Sequence, residues 1–171
     1  MRRLGYFLIV FLITLAVVMI PPSANAATNC PTGWGSLTES VSAMGTGEID
    51  NLRTGQHECF DRVVIDIDGP PAGYHVSYVD QVTADGSGFP VTTPGGARLQ
   101  LIARHPSFAP ISLGTSVANT AGFRTLRSVV YAGSFEGQTT YGVGVRARLP
   151  FRVFTIPGGH GRIVVDIAHQ W

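Results

Sequence analysis

The sequence predicts an antiparallel all-β domain, a sandwich or a barrel, and three observations carry that prediction. Short apolar runs alternate with polar residues at period two, they are rich in β-branched residues, and Gly and Pro punctuate their ends. Beyond the first 26 residues, no stretch holds a 3.6-residue apolar period for three turns. Strands of this kind bury one face of a sheet against another sheet.

Residues 1–26 read as an export signal. Arg2 and Arg3 form a basic start, residues 6–20 are an apolar run, and Ala24-Asn25-Ala26 is a small-x-small cleavage site. The run is short of the about 20 residues that span a bilayer. Pro21-Pro22 and the cleavage site favour removal, with a retained anchor as the alternative. Ala27-Thr28-Asn29 before Cys30 is not a lipobox. Either way the globular part is expected outside the cytoplasm, secreted or in the cell envelope.

Residues 27–48 follow, rich in Thr, Ser and Gly with Trp34, Leu37 and Met44 as larger apolar groups, and read as a surface arm. Cys30 and Cys59 are the only cysteines, without C-x-x-C or Cys/His ligand spacing, and an exported chain meets oxidising conditions. One structural disulfide is expected. It would staple the arm to the first strong strand and stabilise the fold by about 3–4 kcal/mol. A single catalytic thiol is the rival reading.

The domain proper is read as residues 49–171. Val63, Ile65 and Ile67 alternate with Val64, Asp66 and Asp68 until Gly69-Pro70-Pro71 stops the run. Tyr74, Val76 and Tyr78 form a second alternating set, and Leu99, Leu101 and Ala103 a third. Val143, Val145, Ala147 and Leu149 predict one long strand that resumes with Phe151 and Val153 after Pro150. Ile163, Val165 and Ile167 close the chain, and residues 116–122 suggest one short helix. Segments 61–67 and 161–167 share the pattern Arg-β-β-β-Asp-Ile. The simplest account makes them equivalent strands in a pseudo-symmetric pair of sheets.

These segments, with Ile49-x-x-Leu52-Arg53-Thr54-Gly55 before them and Tyr74-x-Val76 between them, resemble the AMIN and AMIN-like domains of exported bacterial envelope proteins. The stretches 80–88, Asp-Gln-Val-Thr-Ala-Asp-Gly-Ser-Gly, and 133–139, Gly-Ser-Phe-Glu-Gly-Gln-Thr, are similar to the AMIN-like branch in particular. The likeness runs from about residue 49 to 171. It implies an antiparallel β-sandwich of two similar sheets and a non-catalytic role at the cell wall. AMIN domains target amidases and secretins to the envelope by binding peptidoglycan. No amidase or secretin segment accompanies the motifs within these 171 residues.

Composition limits the chemistry. Removing residues 1–26 leaves ten arginines against eleven acids, no basic footprint for nucleic acid. Lysine is absent, which excludes Schiff-base chemistry and Ser-Lys dyads, and leaves arginine forks to recognise any anion. Residues 141–152 are the candidate surface. Arg146, Arg148 and Arg152 share parity near Tyr141, and the first two would stand about 7 Å apart on one strand face, a spacing suited to carboxylates or phosphates of a wall polymer. A solvated face with the arginines paired to Asp66 or Asp166 is the alternative.

Asp66 and Asp166 would form a carboxylate pair if their strands were neighbours, but they would lie within reach of arginine, the wrong setting for a proton-donating acid. His57, His75, His105, His160 and His169 form no H-E-x-x-H or H-x-H pair, so neither zinc nor any other cofactor is expected. Gly158-Gly159-His160-Gly161 reads as a turn into the last strand, and Asp85-Gly86 as a hairpin turn in place of a calcium loop. The sequence therefore points to a non-enzymatic envelope domain that binds peptidoglycan or an associated anionic glycan. A carrier of an apolar ligand, with a pocket above about 300 Å³, and a carboxylate-dependent hydrolase are the alternatives.

Overall fold

Alternation along the chain becomes two facing sheets in the computed structural model, which describes Cys30 and residues 33–171; the expected export signal lies outside these residues. The strands are β1 (Glu39–Val41), β2 (Glu48–Gln56), β3 (Phe60–Asp68), β4 (Tyr74–Val79), β5 (Val82–Thr83), β6 (Pro90–Val91), β7 (Ala97–Ala103), β8 (Leu126–Phe135), β9 (Gln138–Val145), β10 (Phe151–Ile156) and β11 (His160–Ala168). One sheet has the order β1-β4-β7-β9-β8 and the other β10-β11-β3-β2, with every pairing antiparallel. It is an all-β sandwich. Val63, Ile65 and Ile67 of β3 and Ile163, Val165 and Ile167 of β11 face inward, where they meet Val76, Leu99, Leu101 and Val143 of the other sheet.

The two outer faces differ. The hairpin β5–β6 folds over β8 and buries Val82, Ala84 and Val91 against Val130 and Ala132, making a small second core outside the five-stranded sheet. Residues 93–94 continue this cover. Thr93 and the Pro94 carbonyl come so close to Gly142 and Gly144 of β9 that a Cβ at either glycine would collide with them. Among the described residues, no such hairpin lies over the outer face of the four-stranded sheet.

Three sequence expectations change. The look-alike strands β3 and β11 are hydrogen-bonded neighbours in one sheet, with Val64 opposite Val164, and are not counterparts in two sheets. Residues 116–122 form no helix. Segment 114–117 instead bonds along the β8 edge through Gly114 N–H to Tyr131, Tyr131 N–H to Thr115 and Val117 N–H to Val129, so its backbone is satisfied as an added strand edge. The long strand ends at Val145, leaving Arg146 and Arg148 in the β9–β10 connection, where strand parity no longer applies.

The arm is part of the sandwich wall. Phe151 N–H donates to the Gly35 carbonyl at 2.8 Å on the β10 edge, and β1 pairs with β4 of the opposite sheet. The Cys30–Cys59 disulfide, with Cα atoms 5.4 Å apart, fixes its start to the β2–β3 turn. Gly45 lies against the buried His105 ring. Ala72 N–H donates to His105 Nε2 at 2.9 Å, so Nδ1 carries the proton and donates to the Gly47 carbonyl at 2.8 Å.

Candidate anion-binding face

The bare face of the four-stranded sheet takes its chemistry from the repeated Arg-β-β-β-Asp pattern. Two such strands paired antiparallel about Val64 and Val164 place Arg62 opposite Asp166 and Arg162 opposite Asp66. Like charges never meet across the pair, and each arginine is offered a carboxylate. The first pair forms: Arg62 Nε and Nη2 donate to Asp166 Oδ1 and Oδ2 at 2.6 and 2.9 Å. Arg152 of β10 adds a bond from Nε to Asp166 Oδ2 at 3.0 Å. Asp166 is wholly buried between the two guanidiniums.

The second pair does not form. Arg53 of β2 reaches across and takes both oxygens of Asp66, at 2.7 and 3.0 Å. Arg162 is left with no hydrogen bond or ion pair for its guanidinium among the described residues. The bonds to aspartate raise the already high pKa values of Arg53 and Arg62, against a smaller opposing effect of burial. Aromatic rings frame the other end: the Arg152 guanidinium stacks 4.4 Å from the Trp34 ring centre, and Arg62 lies 5.1 Å from that of Phe60.

The residues singled out by sequence do not gather in one place. Arg152 stands on this face, tied to Asp166. Arg146 and Arg148 sit on one loop at its rim: Arg146 donates to the His169 carbonyl, and Arg148 to the Ser36 carbonyl at 3.1 Å while lying 5.0 Å from the Tyr78 ring centre. Those hydrogen bonds go to neutral groups, so neither charge is neutralised by them. Trp171, largely exposed, donates to the Arg148 carbonyl beside them. Tyr141 is 3 % exposed and packs edge-on against Tyr131 inside the sandwich, where burial, then Tyr131, raises its pKa. It belongs to the core because β9 is an interior strand covered on both faces. The sequence reading missed Arg53 and Arg162. The signal was present in the repeated motif, which places arginine across from aspartate once the two copies pair with each other.

Asp66 and Asp166 are neighbours by strand, yet the register separates them by four residues, about 13 Å along the strand direction. Paired glycosidase carboxyls stand about 5–10 Å apart. A cleft of about 310 Å³ opens elsewhere, between β2 and the loop after β7, lined by Ile49, Leu52, Ile111, Val117 and Tyr141 among others.

The AMIN-like domain family model matches residues 47–169. The chain belongs to this family. Its match spans β2 through β11, so the four strands of the bare face lie within it. The AMIN-like family is extracytoplasmic, related to the cell envelope and generally non-catalytic, and the disulfide fits an oxidising compartment. No curated protein and no solved structure matches the chain.

Proposed function

We propose that this AMIN-like chain is a secreted, non-catalytic domain that binds peptidoglycan or an associated anionic glycan of the cell wall. The observation that supports it is the uncovered face of the four-stranded sheet, whose centre presents Arg53, Arg62, Arg152 and Arg162 against two aspartates. A polymer laid on this face meets the open fork of Arg162 beside guanidiniums held in place by aspartate, and Arg146 and Arg148 extend the contact at the rim. Binding of this kind weakens as salt screens the exposed charges over about 8–10 Å. Sedimentation with purified wall sacculi tests the reading: retention at low salt that falls at high salt is expected, and absence of retention at low salt overturns it.

The cleft beside β2 supports a second reading, a carrier of a small apolar ligand, because its volume of about 310 Å³ reaches the lower bound of ligand pockets. Solvent extraction of the purified protein followed by mass spectrometry checks this. A stoichiometric apolar compound would favour it over wall binding.

A further inference from the structure

We infer that Arg162, Arg53 and Arg62 form a seat for a single oxyanion, a carboxylate or phosphate group, over the buried Val64 and Val164 at the floor of the face. For its physiological ligand this rests on the wall-binding reading; as an anion site it stands on its own geometry.

The seat is a depression of about 200 Å³ on the outer face of the four-stranded sheet. At about 30 Å³ per water it holds some six waters, room for an anionic group and part of the unit that carries it. Val64 and Val164 are part of its lining, and Arg53, Arg62, Arg162 and His57 contribute its basic groups. No carboxylate is among its described lining residues. The nearest aspartates, Asp66 and Asp166, are engaged by Arg53 and Arg62, while Asp50 and Asp68 belong to the ends of their strands.

The ion pairs organise the seat. Arg53 and Arg62 each spend Nε and Nη2 on an aspartate, which fixes the plane of the guanidinium and leaves Nη1 without a hydrogen-bond partner among the described residues. Arg162, opposite Asp66 in register, has lost its expected carboxylate to Arg53 and keeps its whole fork. Arg162 is partly exposed, so its fork, which has no protein acceptor among the described residues, is open to a ligand arriving from solvent. An arriving oxyanion supplies the missing acceptor, with the bidentate geometry that arginine favours. Gly55, beside Arg62 on β2, has no side chain to fill the depression.

Two measurements on the disulfide-bonded protein test this. The first is sedimentation with sacculi carrying, or stripped of, their attached anionic polymers. Arg162→Gln should weaken retention about tenfold or more, the value of a charge-assisted hydrogen bond. Arg124→Gln, the same charge change at an exposed residue outside the face, should leave retention near that of the wild type. A wild-type level of retention in folded Arg162→Gln overturns the seat while leaving wall binding intact. Loss on stripping assigns the group to the attached polymer, and retention assigns it to peptidoglycan carboxylates.

The second measurement is NMR of the arginine Nε–H groups in the wild type, titrated with inorganic phosphate and with acetate. A saturable shift at Arg162, absent at Arg124, is expected. No saturable shift with either anion overturns the seat even if sacculi bind elsewhere. A clear shift without retention on sacculi keeps the seat and removes the wall reading.

Discussion

At the residue scale, buried carboxylates do more to hold the molecule than the sequence suggests. Asp61 is fully buried, and its Oδ2 accepts from Thr125 N–H at 2.6 Å and Leu126 N–H at 2.9 Å, while Oδ1 meets His169 Nε2 at 2.9 Å. It ties β3 to the start of β8 and to the end of β11. Asp61→Ala leaves two backbone donors and an imidazole without their acceptor, and should cost about 3–5 kcal/mol in denaturant unfolding. None of this is visible in the sequence, because the partners lie 64 to 108 residues away. Asp85 behaves in the opposite sense. Its Oδ1 accepts from Gly86 N–H, Oδ2 is buried with no hydrogen-bond partner within geometric reach among the described residues, and burial, with Glu136 adding, raises its pKa above the ordinary 3.8 against the smaller lowering effects of Gly86 N–H and the Thr140 side chain. The folded state therefore binds the proton more tightly than the unfolded chain. The contribution of Asp85 to stability is greatest below about pH 3.8 and is lost as pH rises through the raised value. Asp85→Asn removes that decline, so thermal unfolding should show a higher Tm than wild type at pH 7 and an equal one near pH 3.

At the element scale, what could be read in advance depended on how many faces of a strand are covered. β3, β4, β7 and β11 keep apolar residues inward and mostly polar ones outward, and period-two alternation finds them. β8 escapes because Val129 and Tyr131 enter the main core while Val130 and Ala132 enter the small core under the β5–β6 hairpin, so alternation vanishes. β9 is covered the same way, and a run read as an exposed surface is interior. β1 escapes because three residues carry no periodic signal. Pairing of the two similar strands with each other was open to the sequence, since Arg-β-β-β-Asp is complementary to its own reverse. Ile65 and Ile163 are in register and wholly buried. Either changed to alanine should cost about 2–4 kcal/mol through lost burial and a cavity. The double variant should fall short of the sum, because adjoining sites share one void; equilibrium denaturation measures both.

At the scale of the whole molecule, the sandwich closes its open edges. The β10 edge is met by Gly35, by Glu39, which accepts from Val153 N–H at 3.0 Å, and by Tyr74, whose hydroxyl donates to the Val153 carbonyl at 3.3 Å. Segment 114–117 covers β8, β1 is only three residues long, and a bulge between Ile49 and Asn51 interrupts β2. The arm that supplies Gly35 and Glu39 is held at its start by Cys30–Cys59. Replacing both cysteines with serine should lower stability by about 2–4 kcal/mol in thermal or denaturant unfolding. Retention on sacculi should persist in the protein that remains folded, since the disulfide contributes no group to the bare face.

The paired strands also give the face a direction. Were the local two-fold about Val64 and Val164 complete, a chain-like ligand would bind equally well head-first or tail-first. Arg53 breaks that equivalence by drawing Asp66 away from Arg162, while Asp166 stays between Arg62 and Arg152. One end of the dyad has a spare fork and the other does not. A strand of wall polymer, whose own two ends differ, would lie on such a surface in one orientation, and every copy of the domain along that strand would face the same way.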